Sequence, residues 1–281
     1  MKKIFTVLTL AALLPLLFSC NKENGDVVFD QPEFTQYACQ LIPKSAEPAL
    51  APTRSTTAGA SPLVSIELTE SGLYVLGQLN NSLQVVYSSG RYTVSGKIYT
   101  LSGFGTLSFD NSVSGDVSVT VTPLGGVAQT ILATLRKATT VNNPLCRNWT
   151  VDKTRVTVKG WTTASADFAG CNFHEIAEFL RKNGNKAPAD VPENYGLKSI
   201  SFTGTNTVIF FYTDDSLDKG EFSLSGTTVS YQWAGFPKGF TFVTDKATIE
   251  YLDGKCLFKI DAAIQNSTTS GSVTFVLSPA D

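Results

Sequence analysis

The sequence contains one histidine, His174, and its five cysteines include no closely spaced pair. A serine-type catalytic triad needs a histidine between its nucleophile and its acid, and structural zinc sites combine cysteines and histidines at short spacings. No glycine-rich phosphate loop follows a predicted strand and opens a helix. His174 falls in the first turn of a predicted helix, where a surface or capping role is expected. We therefore predict no catalytic residue, no metal site and no cofactor, and expect the protein not to be an enzyme.

Charged residues are scarce as well. They make up 16% of the chain, against about 25% in typical globular proteins. The formal net charge is −2, whereas nucleic-acid-binding domains carry clustered lysines and arginines. The sequence therefore predicts no nucleic-acid partner.

What the sequence has instead is a long series of short, alternating apolar and polar segments after residue 62. These segments are rich in β-branched and aromatic residues, and turn residues such as Ser89-Gly90 and Asp253-Gly254 separate them. A polar boundary at 139–144 divides the series. Because open sheet edges invite pairing with other chains, we predict that each part closes as a barrel or packs as a sandwich. The prediction is a mainly β chain with antiparallel β domains at 63–138 and 145–281.

The pattern changes to helical spacing once, near residue 173. Asn172 can cap a helix, Glu175 stands where a capping box places it, and Gly184 follows the last turn. Apolar residues then fall on one helical face. We predict one α-helix near 173–183, inserted in the C-terminal domain as a lid or plug.

Two pairs of segments resemble each other across the domain boundary. The first pair is 65–69 and 199–203, and the second is 90–96 and 220–226. Duplication of one module would explain both matches. The alternative is that any two hairpins rich in serine and threonine look alike, and the sequence does not decide between them.

The first twenty residues carry a targeting signal. Lys2 and Lys3 precede an apolar run that is too short for a permanent membrane span. Leu17-Phe18-Ser19-Cys20 resembles the lipobox of bacterial lipoproteins, and the acidic residues shortly after it resemble the export signal of surface lipoproteins in Bacteroidota. The resemblance implies a signal peptide at 1–19, an acylated Cys20 as membrane anchor, and residence in the outer membrane, on its periplasmic face or at the cell surface.

Residues 20–62 are expected to form a proline-rich tether. An apolar patch near 29–42 leaves open that part of it adds a strand to a domain. In an exported protein, a disulfide could join Cys146 to Cys171 or Cys256. Buried thiols that pack as small apolar side chains are the alternative.

The segment Cys146-Arg147-Asn148-Trp149-Thr150-Val151, followed by one helix and a run of strands, resembles the lipocalin-like lipoproteins of Bacteroidota that have no known function. The resemblance covers 146–281 and implies a barrel in which Trp149 packs across the floor.

Aromatic residues near the C-terminal third form the candidate ligand site. They are Trp161, Trp233, Phe236, Phe240 and Phe242, and Gly and Pro residues lie among the last four. Such residues could line a pocket or stack on a sugar, although they more often belong to a core. The expected function is non-enzymatic binding of an apolar small molecule, a glycan or a protein. The alternative is a structural or accessory subunit of a cell-surface complex.

Overall fold

The computed structural model describes residues 32–44, 62–139, 143–159, 163–185, 187–232, 246–263 and 270–280. They form two antiparallel β-barrels, which confirms the predicted fold class in its barrel form. The strands of the first barrel are β1 (Cys39–Pro43), β2 (Leu63–Leu68), β3 (Leu73–Leu79), β4 (Val85–Ser95), β5 (Ile98–Leu101), β6 (Gly105–Ser108), β7 (Gly115–Pro123) and β8 (Gln129–Lys137). The second barrel contains β9 (Asn148–Lys159), β10 (Thr163–Ala169), α1 (Phe173–Lys182), β11 (Leu197–Phe202), β12 (Thr207–Tyr212), β13 (Leu217–Ser225), β14 (Thr228–Tyr231), β15 (Lys246–Leu252), β16 (Lys255–Ala263) and β17 (Ser270–Pro279).

Each barrel closes by pairing its first strand with its last. In the first barrel, β1 lies between β2 and β8. In the second, β9 pairs with β17 along its whole length and with β11 near its start. Strand β10 pairs with the C-terminal half of β9, from Lys153 to Lys159. Closure satisfies the edge hydrogen bonds that an open sheet would expose.

Strand β1 corrects the predicted domain boundary. It lies inside 20–62, the predicted tether, and ahead of the predicted domain start at residue 63. Cys39 and Leu41 are fully buried, so this part of the apolar patch adds a strand to the barrel. The eight strands of the barrel need β1, because β2 and β8 pair with it and not with each other.

The predicted helix is confirmed as α1. The Asn172 side chain accepts hydrogen bonds from the backbone N–H groups of His174 and Glu175, and the helix ends in a Schellman motif at Gly184, whose φ is +74°. Its apolar face is buried against the second barrel. Within the described ranges, no helix has the length and apolar character needed to cross a bilayer.

Side chains of the described strands occupy both barrel interiors. An eight-stranded barrel is just wide enough for this. The first interior holds Tyr92 and Tyr99, and the second holds Trp149, Phe202 and Phe258, all 2% exposed or less. The Trp149 indole N–H donates to the Leu145 carbonyl at 2.9 Å.

The two barrels share strand order and register when β10 is set aside. Ile66 opposes Leu76 in the first barrel as Ile200 opposes Phe210 in the second. Both hairpins carry a β-bulge at the same place, between Leu63 and Ser65 and between Leu197 and Ser199. The two pairs of similar segments found in the sequence occupy equivalent strands, β2 with β11 and β4 with β13.

Candidate functional site

The barrels contact each other through equivalent rows of outward-facing residues. The row of the first barrel, on β1 to β4, is Gln40, Glu67, Val75 and Ser89. The row of the second barrel, on β9 and β11 to β13, is Asn148, Ser201, Ile209 and Lys219. Val75 and Ile209 hold the same position in their barrels and pack in one apolar cluster. Glu67 contacts Lys219 and not Ser201, the residue that holds the position of Glu67 in the second barrel. The two rows therefore run in opposite directions, as across the twofold axis of an isologous dimer.

One end of this interface, which we call the ion-pair end, is closed by Glu67 and Lys219. Glu67 is fully buried, and its Oε2 lies 2.9 Å from the Lys219 Nζ. The Glu67 carboxylate also accepts hydrogen bonds from the Gln40 side-chain amide and from the hydroxyls of the threonines at 203, 205 and 207. A buried charge is tolerated when it is paired and hydrogen-bonded in this way. This end is therefore a closed polar contact with no room for a ligand.

A second buried carboxylate, Glu70, lies near the centre of the interface. Its Oε1 accepts a hydrogen bond from the backbone N–H of Gly204 at 2.6 Å, and its Oε2 has no hydrogen-bond partner. A Cβ atom at Gly204 would lie 2.7 Å from the Ala138 Cβ, so the close approach requires glycine. Burial raises the pKa of the Glu70 carboxyl to about 7. Glu70 therefore titrates at the contact between the barrels.

We expect the stability of the protein to fall as pH rises from about 4.5 to about 7. The folded-state pKa of the Glu70 carboxyl lies above its ordinary value of 4.5. The stability that protonated Glu70 contributes is therefore complete below pH 4.5 and is lost as pH rises through about 7. One pKa unit corresponds to about 1.4 kcal/mol, which makes the full effect about 3 kcal/mol. Urea denaturation at a series of pH values measures it.

The matched variant for this prediction is Glu70→Gln. Glutamine keeps a carbonyl oxygen for the Gly204 N–H but does not titrate, so its unfolding free energy should show a weaker pH dependence across this range. Identical pH profiles for the two proteins would contradict the role given to Glu70.

The opposite end of the interface, the open end, holds a cleft of about 560 Å³. Its lining comes from β3 and β4 of the first barrel and from β9, β11, β12 and the following turn of the second. The residues are Leu73, Tyr87, Ser88, Ser89, Gly90, Arg91, Asn148, Lys198, Ser199, Phe211, Tyr212, Asp215 and Ser216. The volume lies within the range of about 300–1,000 Å³ that is usual for small-molecule sites.

The cleft opens where short side chains replace the ion pair. Ser201 is the counterpart of Glu67, and Ser89 is the counterpart of Lys219. Two serines are too short to span the gap that glutamate and lysine span at the other end. The Ser201 Oγ and the Asn148 Oδ1 are buried without a hydrogen-bond partner. These two residues are neighbours across β9 and β11, and Asn148 is one of the residues that line the cleft.

Two cations from different barrels line the cleft. Arg91 lies on β4 and Lys198 on β11, both are exposed, and neither forms an ion pair with another described residue. Lys198 is the extra residue of the β-bulge in β11, where β2 has Val64. Bulges redirect side chains and are frequent beside functional sites. Asp215 is the one acidic residue among the described lining residues, and the Asp218 carboxylate lies behind the lining, where it accepts a hydrogen bond from the Tyr212 hydroxyl.

Aromatic side chains form the apolar part of the lining. Tyr87 and Phe211 are half-buried and contact the cluster around Val75 and Ile209. Burial, together with the Asp218 carboxylate, raises the pKa of Tyr87, so its phenol stays protonated near neutral pH and can donate a hydrogen bond. The cleft thus combines aromatic surface, polar groups and positive charge.

His174 has a structural position. Its Nδ1 lies 2.8 Å from the Val191 carbonyl oxygen and its Nε2 3.5 Å from Glu178 Oε1, so it links α1 to the following loop. A separate cavity of about 540 Å³ lies beside this loop, between Pro188 and Pro192, and is lined also by Tyr195 and Asp214.

Most of the predicted site residues belong to parts of the chain that the structure does not describe. The anchor Cys20 and the candidate ligand residues Trp161, Trp233, Phe236, Phe240 and Phe242 lie outside the described residues.

The cysteines of the suggested disulfide are described. Cys146, Cys171 and Cys256 are all buried, and no disulfide forms among the residues that the structure covers. Burial raises the pKa of the Cys171 thiol to about 11 and that of Cys256 to about 12. The structure thus has the second alternative, thiols that pack as apolar side chains. In the described ranges no three histidine, cysteine or acidic side chains cluster as metal ligands would.

The fold and the cleft define a two-barrel β protein whose barrels associate through equivalent faces. No protein-family model matches the chain, and no curated protein matches its sequence. Among solved structures, a protein of unknown function from the DUF3598 family of Nostoc punctiforme PCC 73102 is 8% identical, and the alignment covers 90% of this chain and 100% of that one. The TM-score is 0.18, which is too low to support an argument about fold or function.

Proposed function

We propose that the chain is an exported lipoprotein of the Bacteroidota type, anchored in the outer membrane through acylated Cys20, on the periplasmic face or at the cell surface. The support is the lipobox-like sequence Leu17-Phe18-Ser19-Cys20 behind two lysines and an apolar run. A single acyl chain holds a protein only marginally, so the several chains that lipoproteins carry would give a durable anchor.

Cys20→Ala is expected to release the protein from membranes, because it removes the thiol that would be acylated. Fractionation of cells that express the wild type or the variant measures the distribution. Cys39→Ala is the matched control, since this buried cysteine is distant in sequence from the lipobox and should leave membrane association unchanged. Continued membrane association of the Cys20→Ala variant would contradict the anchor.

For the two barrels we propose a non-enzymatic binding function, with the interbarrel cleft as the site. The observation that supports it is the open end itself, where the buried ion pair of the other end is replaced by a cleft lined by serine hydroxyls and by two cations, Arg91 and Lys198. Among the described residues, buried aromatic side chains occupy both barrel interiors, which favours the cleft over a ligand inside a barrel. Among the described lining residues Asp215 is the one carboxylate, whereas glycoside hydrolysis uses a facing pair.

A specific observation also favours the second candidate, an accessory subunit of a cell-surface complex. The tip of the β3–β4 hairpin exposes Leu83 at 78%, Val86 at 52% and Val85 at 43%. Neighbouring exposed apolar residues on a hairpin tip are typical of protein contacts.

Native mass spectrometry of the protein purified from its own host separates the two candidates. A co-purified small molecule that disappears in the variant Ser89→Lys/Ser201→Glu supports binding in the cleft, because that variant places the ion pair of the closed end at the open end. A protein partner that is lost when Leu83 and Val86 are replaced by aspartate supports the accessory subunit instead.

A further inference from the structure

We propose that the interbarrel cleft binds a sugar acid, a polyhydroxylated molecule that carries a carboxylate. This inference rests on the proposed binding function and names its ligand class. Arg91 and Lys198 approach the same cleft from different barrels, and neither has an acidic partner among the described residues. Each barrel supplies one of the two cations, so the carboxylate would be held between them.

The two cations are the reason for proposing that the ligand carries a carboxylate. Arginine presents a planar fork of donors that matches a carboxylate in a bidentate arrangement, and lysine adds a second charge-assisted hydrogen bond. Lys198 is the extra residue in the bulge of β11, and bulges redirect side chains. Its counterpart in the bulge of β2 is Val64, which is apolar. The equivalent of Arg91 in the second barrel is Glu221, so the pair of cations exists at one end of the interface alone.

The hydroxyl groups of the ligand are proposed from the serines of the lining. Ser88 and Ser89 are exposed to the cleft, and each hydroxyl can donate or accept a hydrogen bond. At the ion-pair end the equivalent polar groups are already paired, because Gln40 bonds to Glu67 and Glu67 also binds the Lys219 ammonium. A polyol offers the two serines hydroxyl partners that a simple fatty acid lacks, so the lining favours a polyol.

The aromatic residues of the lining fit the same ligand. Tyr87 and Phe211 lie on opposite barrels and present half-buried ring surface to the cleft. A sugar ring has an apolar C–H face that packs against such rings while its hydroxyls remain free for Ser88 and Ser89. The ligand could be a free sugar acid or the same residue at the end of a saccharide chain, and the two sources share this chemistry.

Isothermal titration of the full chain in detergent with glucuronate and galacturonate tests the proposal. We expect at least one of them to bind, glucose to show no heat at the same concentrations, and affinity to fall as salt increases.

Arg91→Ala and Lys198→Ala should each weaken binding about tenfold or more, since each removes a charge-assisted hydrogen bond. Arg136→Ala and Lys97→Ala, which remove exposed cations outside the cleft, should leave the affinity unchanged. A tetrasaccharide of galacturonate that binds more tightly than the monomer identifies a saccharide chain as the source, and equal affinity identifies the free acid.

The cleft-filling variant Ser89→Lys/Ser201→Glu should lose all binding while the protein stays folded, as judged by circular dichroism. No binding of either acid to the wild type, or binding that the Arg91 and Lys198 variants leave unchanged, would overturn the proposal. A neutral molecule that native mass spectrometry detects on the wild type and not on the cleft-filling variant would overturn the sugar acid and leave the binding function standing. A host-purified protein without any small molecule would count against the binding function itself.

Discussion

Lys219→Ala is expected to destabilise the protein by about 3–5 kcal/mol, the cost of leaving one member of a buried ion pair without its partner. The Lys219 side chain is 9% exposed and that of Glu67 is fully buried, so the variant would leave the Glu67 carboxylate buried without its cation. Three threonine hydroxyls and an amide would remain, but none of them neutralises the carboxylate. Urea denaturation followed by far-ultraviolet circular dichroism measures the change.

Two further variants make this result specific. Lys259→Ala removes a cation from an exposed pair with Asp261, and such pairs contribute about 0–1 kcal/mol. The double variant Lys219→Ala/Glu67→Gln should recover part of the lost stability, because it removes the unpaired buried charge. If Lys219→Ala costs no more than Lys259→Ala, then Glu67 is not buried against the second barrel in solution.

Trp149→Ala is expected to destabilise the second barrel by about 3–5 kcal/mol, the range for a large aromatic side chain removed from a core. Trp149 is fully buried at the start of β9, where the closing strand β17 pairs with it. The surrounding strands are joined in a closed ladder and cannot collapse into the space. Thermal and urea denaturation measure the change.

Trp149→Phe separates packing from hydrogen bonding. Phenylalanine keeps most of the apolar contact but leaves the Leu145 carbonyl without the indole N–H, so a smaller loss of about 1–3 kcal/mol is expected. Leu124→Ala, at a residue that is 75% exposed, should change stability by less than about 0.5 kcal/mol. Equal effects of Trp149→Ala and Leu124→Ala would contradict a central place for Trp149 in the core.

The architecture was accessible from the sequence because local signals and long-range contacts agree. Alternation with a period of two predicted the strands, and Asn172 with Gly184 fixed both ends of the helix. Strand β1 fell within the predicted tether, with a strand in the apolar patch near 29–42 left open, because five residues just ahead of a proline-rich stretch give little periodicity by themselves. Its membership in the barrel depends on pairing with β8, which lies about ninety residues further along the chain.

The candidate site was not predicted, for a physical reason. Arg91, Lys198 and Asn148 meet through contacts between strands of different barrels, and no local spacing encodes such a meeting. The similar segments at 65–69 and 199–203 did hold a partial signal. Aligning them sets Glu67 against Ser201, a charge against a hydroxyl at one strand position, which is the difference that distinguishes the closed end from the open one.

The closing pairs β1–β8 and β9–β17 also bear on the order in which the chain can fold. Neither barrel can complete its hydrogen-bonded ring until its last strand is present, so the first barrel must wait for residue 137 and the second for residue 279. Topologies dominated by such distant pairings fold slowly. A chain that crosses a membrane from its N-terminus would therefore emerge with β1 to β7 still open, and a chaperone that protects unpaired strand edges would act at this stage.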